Sequence, residues 1–244
     1  MTEPVLTLDH TFQTPEENLA CDEALFLESE RHGGNGILRF WEPDRCFVVV
    51  GYTNSIRQEV REDECLALGV PIFRRCTGGG AVVQMEGCLN YALVLPLLRT
   101  DQFDTIASTN RTIMTTLRDA LRTLRSLSSV SVEGISDLAL DGLKFAGNAQ
   151  RRGKHFLLFH GVILNDANLS LIPRLLQMPS RQPLYRQNRS HTDFLTNLRI
   201  SVQELKHVLE EAWGVVPGDV SLPTEEIRQL VDSKYKQETW IFKR

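Results

Sequence analysis

Apolar residues along this chain recur at helical spacing in some stretches and at strand spacing in others, and the changes divide it into elements. Thr14, Pro15 and Glu17 supply an N-cap, a first-turn proline and a capping-box glutamate, which predicts a helix over 15–31 closed by Gly33 and Gly34. Apolar, β-branched or aromatic runs at 37–41 and 46–50, separated by Glu42, Pro43 and Asp44, read as two strands paired with each other. Ser55, with Gln58 three residues on, opens a helix over 56–68 that Gly69 closes, and 71–74 is a short strand. Strand character resumes over 81–97 with a break at Glu86 and Gly87. Ile106, Ile113, Leu117, Leu121 and Leu124 then keep helical spacing, so a long amphipathic helix is expected over 103–127. Turns at Asp141-Gly142 and Arg152-Gly153 cut the following stretch into three antiparallel strands, 137–140, 144–151 and 155–164. Helices over 201–213 and 225–235 end the chain, and between them and the sheet lies 179–197, rich in Arg, Gln, Pro and Ser. That segment is too long for an ordinary connector and is a candidate functional loop. The fold class expected is α+β, a mixed and mainly antiparallel sheet with helices packed on it, forming one domain over 1–244.

Composition narrows the function classes. With 244 residues, 42% of them hydrophobic, the chain can bury a substantial core. Its 27 basic and 31 acidic residues give a net charge of −4, so no overall basic field favours nucleic acid. The polar start at 1–4 lacks the features of a secretory signal, and no apolar run approaches the roughly 18 residues that span a bilayer. Five cysteines, Cys21, Cys46, Cys65, Cys76 and Cys88, form neither a CxxC pair nor a zinc-ligand pattern, so no metal site is expected. A cytoplasmic protein with thiols acting as small core residues fits this usage.

Two clusters carry candidate chemistry. Arg74, Arg75, Cys76, Thr77, Gly78, Gly79, Gly80, Ala81 and Val82 set three glycines behind a predicted strand. Glycine lets a ligand approach the main chain, backbone N–H groups can wrap an anion, and arginine supplies bidentate contacts. A tight turn with two solvated arginines is the bland alternative. Downstream, strict alternation would put Lys144, Ala146, Asn148 and Gln150 on one strand face, with Leu143, Phe145, Gly147 and Ala149 on the other. A strand-borne ammonium there could neutralise a carboxylate beside a phosphate; the alternative is a solvated lysine.

Arg-Arg-x-(Ser/Thr)-Gly-Gly-Gly-Ala-Val at 74–82, Gly-Cys-Leu-Asn-Tyr at 87–91, Gly-Leu-Lys-Phe-Ala-Gly-Asn-Ala at 142–149 and His-Gly-Val-Ile-Leu at 160–164 occur in that order. Together they resemble the lipoate-protein ligase A and octanoyltransferase family, a branch of the biotin/lipoate ligase fold; 18–24 and 38–41 are similar to its N-terminal region. The resemblance implies acyl attachment to a lysine of lipoyl-carrier domains, such as those of 2-oxoacid dehydrogenases and the glycine cleavage H protein. In the ligase version, ATP with Mg²⁺ and lipoate or octanoate form an acyl-adenylate, from which the acyl group passes to the target lysine. By motif position, Lys144 would bind the carboxyl and α-phosphate oxygens. Arg75 and the backbone of Gly79, Gly80, Ala81 and Val82 would contact the acyl-adenylate, and Asn148 and His160 would help shape the site.

Some positions depart from the pattern. Val83, Gln84 and Met85 stand where many ligases carry an aromatic residue followed by His-Asp, and the sequence ends about where ATP-using relatives begin a small accessory domain. Adenylation would then either need a separate accessory subunit or not occur. One rival is an octanoyltransferase, which takes the acyl group from a thioester through a cysteine and uses no ATP. Such relatives carry their cysteine late in the domain, whereas this chain has none after Cys88, leaving Cys76 as the substitute. Another is a non-catalytic subunit that binds lipoyl-AMP or a lipoyl domain. Arg181, Arg186 and Arg189 form either a basic face for an acidic carrier or a solvated loop.

Overall fold

The computed structural model describes residues 4–97 and 102–243; residues 1–3 of the polar start and residue 244 lie outside the described residues. Helix α1 (Pro15–His32) starts as its local signals dictate: Thr14 Oγ1 accepts from the Glu17 N–H, and the Glu17 carboxylate accepts from the Thr14 N–H. In chain order the strands are β1 (Val5–Asp9), β2 (Gly36–Trp41), β3 (Phe47–Val50), β4 (Ile72–Arg74), β5 (Val82–Gln84), β6 (Cys88–Pro96), β7 (Val130–Glu133), β8 (Asp137–Leu140), β9 (Leu143–Arg152) and β10 (Phe156–Leu164). Seven form a main sheet in the order β1-β2-β6-β10-β9-β8-β7, antiparallel throughout except for β1 beside β2. The other three form a small sheet, β4-β3-β5. This is the expected α+β architecture.

Alternation along β10 explains how the main sheet fills two cores. Leu157, Phe159 and Ile163 point to one side, where Met114 and Leu117 of α4 (Ile106–Arg122) pack; Leu158, Val162 and Leu164 point to the other, toward Leu25 and Phe26 of α1 and Val48 and Val50 of the small sheet. A fully buried leucine contributes about 1.5–3 kcal/mol, so each core alone is a large stabilising term.

Several expectations change on contact with tertiary structure. The strands at 37–41 and 46–50 do not pair: β2 sits between β1 and β6, and β3 between β4 and β5. Both are buried on both faces, so their patterns name no partner. The single helix expected over 56–68 is two, α2 (Ile56–Glu59) and α3 (Glu62–Ala67), parted where Val60 turns extended and bridges to Leu176. β1 and β7 were not expected, and the helix expected over 103–127 ends at Arg122, with a 3₁₀ turn at Arg125–Leu127 beyond it. The 179–197 loop is ordered by a 3₁₀ turn at Leu184–Arg186 and a short helix at His191–Phe194. The helix expected over 225–235 ends at Leu230, and Val231–Tyr235 continues as a wider π turn.

Candidate active site

The turn between β4 and β5 divides its two arginines between different tasks. Arg74 is fully buried: its Nε donates to the Ile241 carbonyl at 2.8 Å and its Nη1 to the carbonyls of Gly51 and Asn54, each at 2.7 Å. It ties the C-terminal segment to the loop's base. Arg75 turns its fork onto the glycine loop, with Nε donating to Thr77 Oγ1 at 3.1 Å and Nη2 to the carbonyls of Gly78 at 2.6 Å and Gly80 at 2.9 Å. Gly79 is left-handed at φ 88°, and a Cβ there would lie 2.8 Å from Arg75 Nη2, so the wrap needs glycine. No carboxylate pairs with Arg75 among the described residues. Burial, with Arg74 beside it, pulls its pKa down to about 10, leaving a charged but uncompensated guanidinium at neutral pH.

Opposite the loop, β9 does not alternate as its sequence suggests. Ala139 of β8 pairs with Lys144 but Leu138 pairs with Ala146, so Phe145 is an extra residue in β9. Phe145 and Ala146 both bury in the α4-side core, and the faces exchange after them. Lys144 therefore shares its face with Gly147 and Ala149, not with Asn148 and Gln150. The bare Gly147 makes room for it: a Cβ there would meet Lys144 Nζ at 3.0 Å and Cε at 3.1 Å. Lys144 Nζ bonds Asp137 Oδ1 at 2.7 Å, and Tyr185 O–H donates to Asp137 Oδ2 at 2.9 Å. Asn148 is turned away: its Oδ1 accepts from Tyr91 O–H, and its Nδ2 donates to the Ser136 carbonyl at 2.9 Å. It shapes the wall from behind, and Gln150 bonds Asn110 of α4.

Gly79 approaches Ala149, so the glycine loop and the Lys144 ammonium lie over β9 positions two residues apart. About 7 Å of strand separates such positions, room for a carboxyl and an adjoining phosphate. A cavity of about 850 Å³ joins them, lined by Arg75, Gly79, Gly80, Ala81, Val82, Lys144 and His160. Its wall continues over Val83, Val162, Leu164, Ile172 and Leu176, an apolar surface suited to a hydrocarbon chain, and Gln84 and Asn90 close part of it with a reciprocal amide pair at 2.6 and 2.9 Å. At its edge His160 bonds Asp22 Oδ2 through Nδ1 at 2.9 Å and Thr77 Oγ1 through Nε2 at 2.7 Å.

The basic face does not form. Arg186 is buried, stacks 4.6 Å from the Phe194 ring and donates to the Arg189 carbonyl; Arg189 donates to the carbonyls of Tyr185 and Gly142. Both brace the 179–197 loop, and Arg181 alone of the three is exposed. Cys76, for its part, is buried, and burial pushes its thiol up to about 11, the direction in which all five thiols move. Sequence reasoning assigned nothing to Asp137, Tyr185, Asp22 or Thr77. The first was within reach, because the Asp141-Gly142 hairpin folds the strand holding residue 137 back beside the strand holding Lys144.

The family model described as the lipoyl protein ligase A/B catalytic domain matches residues 14–214. The chain belongs to this family. An octanoyltransferase LipM of Carboxydothermus hydrogenoformans is 30% identical over 97% of each chain, and lipoate-protein ligase A subunit 1 of Thermoplasma acidophilum is 28% identical over 91% of this chain and 90% of its own. Among solved structures, a bi-partite lipoate protein ligase from T. acidophilum, studied with its E2 lipoyl domain, superposes with a TM-score of 0.82 at 26% identity, covering 99% of this chain and 96% of that one. As a lipoyl protein ligase A/B catalytic-domain member, the chain is an enzyme of lipoyl or octanoyl transfer. No helix among the described residues is long and apolar enough to cross a membrane.

Proposed function

We propose that this enzyme transfers a lipoyl or octanoyl group from an acyl-adenylate to a lysine of a lipoyl-carrier domain. The observation that carries the reading is the uncompensated Arg75 facing Lys144 across a cavity whose remaining wall is largely apolar. An acyl chain would occupy the apolar wall, with its mixed anhydride between Lys144 and the glycine loop. There the ammonium would stabilise charge developing on the carbonyl oxygen and on the departing phosphate. The carrier's amine is itself the nucleophile and the phosphate is a good leaving group, so the site needs fixed positive charge and no protein nucleophile. Magnesium, where ATP is used, would come with the phosphates, since no three acidic, histidine or cysteine side chains converge among the described residues. Carriers of the 2-oxoacid dehydrogenase or glycine cleavage type are the expected acceptors.

Similarity to LipM keeps a thioester-using octanoyltransferase as the alternative. Cysteine chemistry weighs against it: the chain has no cysteine after Cys88, and a thiol at about 11 is thiolate in only roughly one molecule in ten thousand at neutral pH. Similarity to a ligase subunit supports a further possibility, adenylation completed by a separate accessory subunit.

The test is to incubate the protein with an apo lipoyl domain and either lipoyl-AMP, ATP with lipoate, or an octanoyl-carrier thioester, and to follow the carrier lysine by mass spectrometry. Acylation from lipoyl-AMP is expected, with or without the ATP route. Acylation from the thioester alone would overturn the reading.

A further inference from the structure

Beneath the glycine loop runs a chain of side chains that the transfer reaction itself does not use. Arg39, fully buried on β2, donates through Nη1 to Asp22 Oδ1 at 2.5 Å and to the Asn18 carbonyl at 2.9 Å, and through Nη2 to Asn18 Oδ1 at 2.8 Å and the His10 carbonyl at 3.0 Å. Asp22 Oδ2 then meets His160 Nδ1, His160 Nε2 meets Thr77 Oγ1, and Thr77 Oγ1 shares the Arg75 Nε–H with the Gly78 carbonyl, each at 3.1 Å. We propose that Asp22, His160 and Thr77 are positioning residues that aim the Arg75 fork and hold the glycine loop for the acyl-adenylate, a claim resting on the transfer reading above.

The distances are those of an acid–histidine–hydroxyl triad, with base to hydroxyl at 2.7 Å and base to acid at 2.9 Å. Burial separates the two roles. Thr77 is 1% exposed and is absent from the cavity wall, while its oxygen already takes the Arg75 Nε–H, so no acyl carbon can reach it. His160 lines the cavity, but both its nitrogens are engaged, so it is not free to take a proton from an incoming amine. The arrangement holds; it does not attack.

Donor and acceptor rules fix the direction of the chain. The Asp22 carboxylate can only accept, because Arg39 and His160 outweigh the effect of burial and keep its pKa below the usual range. His160 therefore carries a proton on Nδ1, and in the neutral ring Nε2 accepts from the Thr77 O–H. The hydroxyl hydrogen is committed, and its lone pairs face Arg75 Nε. A guanidinium with its Nε and Nη2 anchored in this way presents Nη1, whose one hydrogen bond among the described residues is a long 3.4 Å approach to the Val49 carbonyl, as the donor left for an anion.

Two measurements test this. In ¹⁵N–¹H correlation spectra of the histidine-labelled, ligand-free protein, assigned through a His160→Gln variant, His160 should be the neutral Nδ1–H tautomer. A proton on Nε2, alone or together with one on Nδ1, would overturn the proposal. In transfer from lipoyl-AMP, Thr77→Val should raise KM for the adenylate about tenfold while kcat stays within about threefold, because the fork binds ground and transition states alike. Thr77→Ser, which keeps the hydroxyl, should return KM to within about threefold of the unmodified enzyme. Thr77→Val with an unchanged KM, or Thr77→Ser failing as badly as Thr77→Val, would sink it. The tautomer is read without any acyl donor, so an enzyme inert toward lipoyl-AMP would defeat the transfer reading while the spectrum still decides the positioning one.

Discussion

Two lysine–carboxylate pairs in this protein have the same 2.7 Å separation and opposite surroundings. Lys234 gives hydrogen bonds to both oxygens of Glu23, which also accepts from Arg151 and from Tyr235 O–H, and the Lys234 ammonium lies 4.1 Å from the Trp240 ring. That pair is saturated, its Glu23 carboxylate almost entirely buried and its Lys234 side chain 19% exposed. Lys144 meets only Asp137, its side-chain partner among the described residues, and is 27% exposed at the cavity wall with donors to spare. The difference teaches that it is unfilled hydrogen-bonding capacity, more than charge, that separates a cation able to hold a ligand from one that holds the fold.

Glu23→Ala would break the comparison on its buried side, and the largest effect is expected there. Removing the carboxylate strands Lys234 and Arg151 beside a core, which typically costs about 3–5 kcal/mol. For a chain of this size that is a fall in Tm of roughly 6–20 °C, measured by calorimetry, with kcat of the folded fraction changed less than about threefold. Acid gives an independent check. Burial raises the Glu23 pKa, but Lys234, Tyr235 and Arg151 more than offset this and hold it below its usual value. A depressed carboxyl contributes stability that is full above its unfolded pKa, about 4.3, and is lost as pH falls through the lower folded value. Melts of the wild type should therefore fall more steeply than those of Glu23→Gln below about pH 4, so that the gap between them closes in acid. Parallel curves would mean that Glu23 is not ionised in its pocket.

On the open side, Lys144→Ala should lower transfer from lipoyl-AMP about a hundredfold, near 2.7 kcal/mol, because the lost charge acts where negative charge develops. Its stability should shift by less than about 1 kcal/mol, as for other partly exposed pairs. Lys144→Arg keeps the charge, yet its planar fork must pass over Gly147 in space shaped for a narrow stem, so most of the loss should persist. Normal turnover by Lys144→Ala would remove the distinction between the two pairs.

The legibility of these features in the sequence follows the range of the interactions behind them. The Thr14–Glu17 cap, the Asp141-Gly142 hairpin and the glycine loop are local, and the structure has them where the residues imply. All eight residues singled out beforehand for the site, Arg75, Gly79, Gly80, Ala81, Val82, Lys144, Asn148 and His160, line one cavity. Asn148 was set on the wrong face because alternation assumes an unbroken strand; the bulge at Phe145 exists so that two successive apolar residues can enter one core, a demand made by α4 from elsewhere in the chain. Pairing of β2 with β6 and the break at Val60 depend on strands and bridges distant in sequence. Arg186 and Arg189 looked like a surface because no local signal announces stacking on Phe194.

Cys76→Ala should have the smallest effect and tests the comparison at its most ambiguous residue. In sequence, Cys76 follows two arginines, a setting that could activate a thiol, although a small packed thiol is the expected role; in the structure it belongs to the saturated pair, with its thiol against Arg151 and Tyr235. Burial dominates its environment and the Glu23 carboxylate adds to it, outweighing Arg151 and Lys234, so the thiol is pushed up to about 11 and stays protonated. Loss of one sulfur from a packed position should cost about 1 kcal/mol. Transfer from lipoyl-AMP should stay within about twofold, and incubation with an octanoyl thioester should leave no acyl mass on the peptide containing Cys76. A hundredfold loss of activity at unchanged Tm, together with an acylated Cys76 peptide, would mean that the saturated cluster opens during turnover, and the role of fixed charge at Lys144 would pass to a thioester intermediate.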